Sequence, residues 1–393
     1  MATTHTQVGI IGAGPAGLML AHLLHRAGID CVILENRSRE YVEGRLRAGL
    51  LEQNTVELLG EIGMDHRLQQ EGIKHEGVYL SFDGKRHRIP FADLTGGRCI
   101  TIYGQRQVVK DLIQGRLDQG GKICFEAEAT RIEGIEGDRP VIHYTHQGEA
   151  HELRCEYVAG CDGYHGVGRQ AMPADSYQIF EIEYPFSWLG ILADVAPSSE
   201  ELIYAYHADG FALHSYRSPS RSRLYIQVDN AEKIEDWSDD RVWSELKKRL
   251  EIPGWELKDG PVVQKGITAM RSFMIDNMQH GRLFLAGDAA HIVPPTGGKG
   301  LNLAVADVKI LAQALDQFYQ QGDRRGLDRY TDDCLRRIWR VQDFSNTMTY
   351  QFHKQAPHGS FDYHLQKARF DYITQSPSMA TTIAENYVGL KEV

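Results

Sequence analysis

The sequence has few cysteines and no paired cysteine motif. There are six among 393 residues, and no two of them form a C-x-x-C pair. They are Cys31, Cys99, Cys124, Cys155, Cys161 and Cys334. Cysteines scattered in this way exclude a zinc ribbon and a disulfide-stapled scaffold. They are typical of a reducing compartment, so we expect a cytoplasmic protein with no metal site.

Positive charge is also in short supply. The chain carries 43 Lys and Arg residues against 53 Asp and Glu residues, a formal net charge of −10, and it has no basic tract. This balance argues against nucleic acid as a partner. An anionic ligand would therefore have to be held by a few local Arg or Lys side chains.

No apolar run is long and continuous enough to predict a membrane span. The uncharged stretch at residues 8–24 is interrupted by Gly12, Gly14, Pro15 and Gly17. No basic segment precedes it, as one would in a signal peptide. We therefore expect no membrane partner.

Glycine, by contrast, is abundant, and it is clustered. Of the 39 glycines, three form the motif Gly12-Ala-Gly14-Pro-Ala-Gly17, which lies between a predicted strand and a predicted helix. In a dinucleotide-binding turn the first glycine makes the bend, the second admits a pyrophosphate, and the third lets helix and strand pack closely. The helix N-terminus supplies unpaired N–H donors for the phosphates. The alternative is a glycine-rich turn that binds no ligand.

A carboxylate at the expected distance supports dinucleotide binding. Glu35 ends the second predicted strand, 23 residues after Gly12, where such a residue holds ribose hydroxyls. The motif and Glu35 together do not distinguish NAD from FAD.

Two later Asp motifs indicate which dinucleotide is bound. Asp162-Gly163 follows one predicted strand, and Gly287-Asp288 follows another. Each alone is typical of an ordinary turn. In this order after the glycine fingerprint, they resemble the motifs of the flavin-dependent aromatic hydroxylases. The resemblance implies that FAD is the cofactor and that Asp162 and Asp288 contact it.

The resemblance also implies a fold. We expect a mixed α/β protein in which a Rossmann-like FAD-binding domain, residues 1–178, is interrupted by a β-rich substrate domain, residues 179–273. Residues 274–393 would form a flavin-contacting loop and a helical, aromatic-rich C-terminal part that serves as an interface.

A Gly/Pro-rich loop precedes the long helix predicted at residues 301–319. The positive end of this helix would stabilise reduced, anionic flavin. Lys299 would add a charge, Gly300 and Leu301 would contact the flavin, and Asn302 would hydrogen-bond its ring. The alternative is a capped helix after a flexible loop.

A predicted β-hairpin carries a cluster of polar side chains. Two strand-like segments flank a turn assigned to residues 218–222. If Arg217 pairs with Arg223, then Ser215 faces Tyr225 and all four crowd one surface. Paired arginines repel unless an anion separates them. The alternative is a solvated polar face.

Longer matches narrow the resemblance to the branch of the family that acts on 4-hydroxybenzoate. They run through most of the chain and include Arg45-Leu-Arg47, Val-His75-Glu-Gly, Tyr-Gly-Gln105, Leu-Ile-Tyr204-Ala and Glu-Asn-Tyr387-Val-Gly-Leu. The resemblance implies that Ser215, Arg217 and Tyr225 hold the substrate carboxylate. It assigns Arg223 to flavin movement rather than to the substrate.

The same resemblance implies a route for the substrate's phenolic proton. Tyr204 would bond the substrate hydroxyl, Tyr387 would extend the chain, and His75 would connect it to solvent. The backbone carbonyl of Pro295 would also face that hydroxyl. From sequence alone, each of these residues is more often structural.

The remaining implied residues serve the flavin and the electron donor. Arg45, Arg47 and Gln105 would contact the flavin, and a transient nicotinamide donor would bind near Arg45, His165 and Arg271. NADPH and NADH both stay open, because Asn36 stands where some NADPH-using members carry an arginine. His214 replaces a cysteine of the family and should face away from the substrate.

The implied reaction uses dioxygen and a flavin C4a-hydroperoxide to convert 4-hydroxybenzoate to 3,4-dihydroxybenzoate. A related hydroxylase acting on 3-hydroxybenzoate or 3,4-dihydroxybenzoate is the alternative, and a flavin-binding redox sensor is a third hypothesis. The family is commonly dimeric, so we expect a homodimer whose contact involves the C-terminal helices.

Overall fold

The computed structural model describes residues 3–45 and 49–390. Within these ranges the chain forms four β-sheets and thirteen α-helices. The mixed α/β class predicted from the sequence is confirmed.

The strands follow one another throughout the first three quarters of the chain. In chain order they are β1 (Thr3–His5), β2 (Val8–Ile11), β3 (Cys31–Leu34), β4 (Leu50–Leu51), β5 (Ile73–His75), β6 (Gly77–Phe82), β7 (Lys85–Pro90), β8 (Ile100–Ile102), β9 (Lys122–Cys124), β10 (Ala127–Glu133), β11 (Val141–His146), β12 (Glu149–Arg154), β13 (Tyr157–Gly160), β14 (Ile179–Ala193), β15 (Ile203–Ala205), β16 (Ala212–Ser218), β17 (Arg221–Val228), β18 (Val262–Ile275), β19 (Gln279–His280), β20 (Leu283–Leu285) and β21 (His291–Ile292).

The helices lie between strands at first and fill the last quarter of the described chain. They are α1 (Pro15–Arg26), α2 (Arg39–Gly44), α3 (Gln53–Glu61), α4 (His66–Glu71), α5 (Phe91–Leu94), α6 (Gln105–Asp118), α7 (Val167–Gln170), α8 (Asp239–Arg249), α9 (Gly300–Gln321), α10 (Arg325–Asp328), α11 (Tyr330–Phe352), α12 (Phe361–Gln375) and α13 (Pro377–Val388).

A six-stranded sheet carries the predicted βαβ unit. Its order is β19-β20-β13-β2-β3-β9, and the five strands from β20 to β9 are parallel. β2 and β3 are buried along their whole length, as expected for strands covered on both faces. Helices α1 and α9 pack against each other beside this sheet. The parallel arrangement brings the carboxyl ends of β2, β3, β13 and β20 to one edge, which is where open α/β sheets bind ligands.

An eight-stranded sheet forms the second layer, in the order β21-β18-β14-β17-β16-β15-β6-β7. Tyr204, Leu213 and Tyr225 pair across β15, β16 and β17 and share one face. Ile203 and His214 pair on the other face, where they meet a separate apolar core. His214 therefore points away from Tyr225, as the alternation of strand side chains predicts.

The predicted division into domains stays a prediction. The eight-stranded sheet includes β6 and β7, which lie in the range assigned to the first domain, as well as the strands between residues 179 and 275. No helix among the described residues is long and apolar enough to cross a membrane.

Candidate active site

A cavity of about 530 Å³ opens at the carboxyl edge of the six-stranded sheet. Segments far apart in the chain line it. The predicted cofactor or donor residues in its wall are Gly12, Gly14, Glu35, Arg45, Gln105, Asp162, His165, Asp288, Gly300 and Leu301. Arg47 lies outside the described residues. The sequence predictions thus converge on one concave surface.

The glycine turn is shaped by close backbone contacts. Gly12 has φ +102°, and a Cβ there would lie 2.3 Å from the carbonyl oxygen of Cys161. A Cβ on Gly17 would lie 2.0 Å from the carbonyl oxygen of Gly12, so strand and helix meet directly. Gly14, in contrast, has nothing within 4 Å of its would-be Cβ and faces the cavity. The first turn of α1 carries no acidic side chain, which leaves its positive end available to an anion.

Glu35 is held at the cavity wall by backbone donors. One carboxylate oxygen accepts from the N–H of Ala13 at 2.7 Å, and the other accepts from Arg37 at 2.9 Å. The carboxylate is therefore fixed beside the glycine turn with lone pairs left for ribose hydroxyls.

Asp162 presents an oxygen without a partner. Its Oδ2 accepts from the N–H of Gly168 at 2.7 Å, whereas its buried Oδ1 has no partner among the described residues. Burial raises the pKa of this carboxyl group. Buried polar atoms are rarely left unpaired, so Oδ1 marks a place for a hydroxyl-bearing ligand. Asp288 is exposed to the same cavity from the other side.

These features fit FAD. A glycine turn with room for phosphates, a carboxylate for the ribose and an orphan acceptor for a hydroxyl chain match the donors and acceptors of a dinucleotide. The fit rests on this chain's own geometry.

The Lys299 side chain is directed into the protein. Its ammonium pairs with Glu52 at 2.9 Å and donates to the carbonyl of Tyr387 at 2.7 Å. Arg337 binds the other oxygen of Glu52 at 2.8 Å. Although burial opposes its ionisation, the two cations hold the pKa of Glu52 below its usual value. The charge predicted beside the flavin is thus already balanced by Glu52.

The Asn302 side chain is also fully engaged. Its amide nitrogen donates to the carbonyl of Leu50 at 3.0 Å, and its oxygen accepts from the N–H of Glu52 at 2.9 Å and from the hydroxyl of Thr55 at 2.8 Å. The residues of this turn that line the cavity are Gly300 and Leu301.

The hairpin register predicted from the sequence is wrong. Ser215 pairs with Arg223 and Leu213 with Tyr225, and Arg217 lies in a bulge between Tyr216 and Ser218. The sequence argument assigned five residues to the turn, whereas β16 ends at residue 218 and β17 begins at residue 221. Because the register slips by an even number of residues, Ser215, Arg223 and Tyr225 keep a common face.

Arg217 lies at the junction of this hairpin with the FAD cavity. A Cβ on Gly104, which precedes the cavity residue Gln105, would lie 2.5 Å from its Nη2. Within the described ranges no carboxylate forms an ion pair with Arg217. Burial, together with the charges of Arg223 and Arg106, lowers its pKa. A bound anion would relieve this excess of positive charge.

Two buried tyrosines form a hydrogen-bonded pair. The hydroxyl of Tyr204 donates to the carbonyl of Thr296 at 2.6 Å and also bonds the hydroxyl of Tyr387. Burial raises the pKa of both phenols. The carbonyl of Pro295, predicted to face the substrate hydroxyl, accepts from the N–H of Gly298 at 3.0 Å, and the neighbouring carbonyl of Thr296 meets Tyr204.

His75 is not bonded to the tyrosine pair. It is 1% exposed, its ring lies edge-on to Tyr216, and neither ring nitrogen has a hydrogen-bond partner in the described part of the chain. Burial lowers the pKa of His75 to about 4, so the ring is neutral at pH 7.

Two of the three predicted donor residues, His165 and Arg271, contact the ring of Tyr164. The guanidinium of Arg271 lies 4.8 Å from the ring centroid of Tyr164 and 3.7 Å from Glu181. The ring of His165 meets Tyr164 edge-on at 4.8 Å. Arg45 and His165 line the cavity, whereas Arg271 does not.

Several residues of the site were missed by the sequence analysis. Trp188 lies 4.7 Å from the ring of Tyr225 and donates its indole N–H to His353 at 2.5 Å. Thr296 and Glu52 were also missed. Their partners lie 92 to 285 residues away, so no local pattern could have shown these contacts.

Comparison with known proteins gives matches over nearly the whole chain. The profile of the FAD binding domain family matches residues 5–345. A p-hydroxybenzoate hydroxylase of Acinetobacter baylyi is 47% identical over 391 residues, covering 99% of this chain and 96% of that protein. A probable NADH-specific resorcinol 4-hydroxylase of Rhodococcus jostii is 26% identical over 86% of this chain and 66% of its own length. The crystal structure of a p-nitrophenol 4-monooxygenase from Pseudomonas putida shares the fold, with a TM-score of 0.84 at 20% identity and complete coverage of both chains.

Proposed function

Because the chain belongs to the FAD-binding family of flavin-dependent aromatic monooxygenases, we propose that it hydroxylates 4-hydroxybenzoate to 3,4-dihydroxybenzoate. Dioxygen and a nicotinamide donor, NADPH or NADH, are the co-substrates. The relative from Acinetobacter baylyi, 47% identical over almost the full length, supports this substrate.

One observation carries the choice of substrate. Tyr204 pairs with Leu213, and Leu213 pairs with Tyr225, so the two tyrosines stand on one face of the sheet two strands apart. At ~4.8 Å per strand this is a separation of roughly 10 Å between their backbones. A flat ring with a hydroxyl at one end and a carboxylate at the other, lying over Leu213, matches this separation.

The carboxylate end is built for an anion. Arg217 offers two parallel N–H donors that match a carboxylate, and it has no acidic partner among the described residues. Ser215 and Tyr225 add hydroxyl donors to the same face. The ring of Tyr225 is held in turn by Trp188 at 4.7 Å.

The hydroxyl end handles a proton. A phenol has a pKa near ~10, yet ring hydroxylation proceeds best on the phenolate. Tyr204 takes the substrate proton as its own hydroxyl proton passes to Tyr387. His75, which is not bonded to the pair in this structure, would complete the route to solvent once a link to Tyr387 forms. Because all three groups are buried, bulk water does not compete for these steps.

The cofactor would be held by the turn at Gly12, by Glu35, by Asp162 and Asp288, and by the backbone of Gly300 and Leu301. When bound, FAD supplies reduction by the nicotinamide donor and activation of dioxygen. Around the cofactor, the chain orients the substrate ring, excludes water and provides charged side chains.

The donor would bind transiently near Arg45, His165 and Arg271. Arg39, in the segment after Glu35, is paired with Glu43 at 2.6 Å, while the guanidinium of Arg37 lies over the ring of Tyr41. NADPH and NADH both fit this description, and the assay below separates them.

The decisive experiment is a substrate panel. Purified holoenzyme is mixed with NADH or NADPH and 4-hydroxybenzoate, 3-hydroxybenzoate or 3,4-dihydroxybenzoate, and the aromatic product is analysed. We expect 4-hydroxybenzoate to accelerate oxidation of the donor and to yield 3,4-dihydroxybenzoate. Faster oxidation with either of the other acids, and none with 4-hydroxybenzoate, would refute the assignment.

We also propose a cytoplasmic homodimer. Phe361, Leu365 and Tyr372 on α12 are 77%, 43% and 58% exposed, which is unusual for side chains of this size. Light scattering of the purified protein, with Phe361→Ser as the variant, tests whether α12 forms the contact. A monomeric wild type would refute it.

A further inference from the structure

A buried ion pair stands behind the loop that carries Asp288. Asp307 on α9 accepts through one oxygen from Nε2 of His291 at 2.6 Å and from the backbone N–H of Gly287 at 3.0 Å. The side chains of the pair are only 2–3% exposed. Neither residue lines the cavity, yet Gly287 and Asp288 both do.

Two other side chains fix the same loop through its carbonyl groups. The hydroxyl of Tyr330 donates to Leu285 at 2.8 Å, and Arg169 donates to Ala289 at 2.8 Å. Between these two contacts, Asp307 accepts a hydrogen bond from the backbone N–H of Gly287. The loop is therefore held both through its backbone carbonyl groups and through a backbone N–H.

The clamp leaves little freedom at Gly287. Its φ is +63°, and a Cβ there would lie 3.1 Å from the Cβ of Ala304 on α9. The backbone thus rests directly on α9, one helical turn before Asp307. A small displacement of Asp307 moves Gly287 and, with it, Asp288.

Charge is the second reason to single out this pair. Burial opposes protonation of His291, but Asp307 and Asp288 together raise its pKa. The other titratable groups near Asp307 are Tyr330, Cys161 and Cys334. All three have pKa values raised by burial and are uncharged at neutral pH. His291 is therefore the titratable group that offsets the buried carboxylate of Asp307 and the nearby carboxylate of Asp288, which lines the proposed FAD site.

We propose that Asp307 and His291 are positioning residues for FAD, which act by holding Gly287 so that Asp288 meets the cofactor. Asp307 sets the backbone, and His291 holds the Asp307 carboxylate through its Nε2 and, in its protonated form, offsets the charges of Asp307 and Asp288. The inference rests on the proposed placement of FAD in the cavity, and it goes beyond the residues that touch the cofactor.

The first test measures FAD affinity. Asp307→Asn and His291→Gln are each prepared as holoenzyme, and release of FAD on dilution is followed by flavin fluorescence. Loss of a buried, charge-assisted contact should raise the FAD dissociation constant about ten- to a hundredfold. As a matched control, Glu245→Gln removes the partner of buried Arg249, 2.9 Å away, and should leave FAD affinity unchanged.

A double-mutant cycle tests the route of the effect. If Asp307 acts through Asp288, then Asp307→Asn should weaken FAD binding much less in an Asp288→Asn background than in the wild type. A merely structural residue would lower the melting temperature without this coupling. Equal effects in both backgrounds would overturn the proposal.

The third test uses pH. Because His291 has a raised pKa, its contribution is complete below its usual pKa and is lost as pH rises through the raised value. Wild-type FAD affinity should therefore weaken at high pH, and His291→Gln should lack this loss. An unchanged high-pH loss in His291→Gln would refute the role of the imidazolium.

His291→Gln carries the test if Asp307→Asn does not fold. The outcome is separable from the proposed reaction. An enzyme that binds FAD but does not hydroxylate 4-hydroxybenzoate would refute the substrate and leave this inference standing.

Discussion

A single added methyl group at Gly104 should displace Arg217, the arginine that we propose recognises the substrate carboxylate. In Gly104→Ala the new Cβ would lie 2.5 Å from Nη2, 2.9 Å from Cζ and 3.0 Å from Nη1 of Arg217. Ordinary contact begins at 3.4 Å, so the guanidinium must retreat by about 0.9 Å. The obstructed atoms are the end of a flexible side chain, and the fold can yield at little cost.

The predicted size follows from hydrogen-bond geometry. An N–H···O bond of about 2.8 Å that lengthens by about 0.9 Å leaves the useful range. Hydrogen bonds to charged groups contribute about 1.5–3 kcal/mol each, so losing one or both should raise the substrate dissociation constant about ten- to a hundredfold. Gly104 precedes α6 with φ −55° and ψ 131°, values open to alanine, so the free energy of unfolding should change by less than about 1 kcal/mol.

The assay compares two ligands. Binding of 4-hydroxybenzoate and of 4-hydroxybenzamide, which lacks the carboxylate, is titrated through the change in flavin absorbance. Gly104→Ala should weaken binding of 4-hydroxybenzoate and leave binding of 4-hydroxybenzamide unchanged. Gly266→Ala, whose Cβ meets nothing within 4 Å, is the matched control. Equal weakening of both ligands, or none, would refute the assignment of Arg217.

Three further predictions concern the interior. Tyr204→Phe should retain flavin reduction but lose hydroxylation by at least about a hundredfold, and unchanged product yield would contradict the proton route. His214 accepts from the N–H of Ser198, and burial lowers its pKa to about 4. The stability contributed by neutral His214 is complete above pH 6.5 and is lost as pH falls toward 4. Between pH 7 and pH 4.5, the free energy of unfolding measured in urea should therefore fall by about 2–3 kcal/mol less in His214→Cys than in the wild type. Lys299→Met leaves the buried charge of Glu52 with one cation and should lower the free energy of unfolding by about 3 kcal/mol, whereas an unchanged melting temperature would show that the pair adds nothing.

Local pattern was enough to predict the first nucleotide-binding unit. The strand, glycine turn, helix and second strand around Gly12 occupy β2, α1 and β3 as expected, because each depends on neighbours within a few residues. The long helix predicted at residues 301–319 is confirmed as α9, one residue longer at its start and two at its end. Hydrophobic periodicity is a strong signal over such lengths.

The local sequence pattern could not predict the strand register or the contacts between residues far apart in the chain. The bulge at Arg217 depends on the length of the turn, and the sequence Ser-Pro-Ser-Arg-Ser does not determine that length. Lys299 and Asn302 were placed beside the flavin because of the helix they begin. Their side chains meet Glu52 and Leu50, about 250 residues earlier, and no local pattern predicts such distant partners.

The tyrosine pair has a consequence for the order in which the enzyme is made. Every residue that lines the proposed FAD cavity lies between Ile11 and Ala304, whereas Tyr387 comes more than eighty residues later. A ribosome therefore releases the proposed cofactor cavity well before it releases Tyr387, which the proposed proton route requires. Loading of the cofactor and completion of the substrate pocket are separable events, and a nascent chain stalled after α11 would hold the parts for the first without the second.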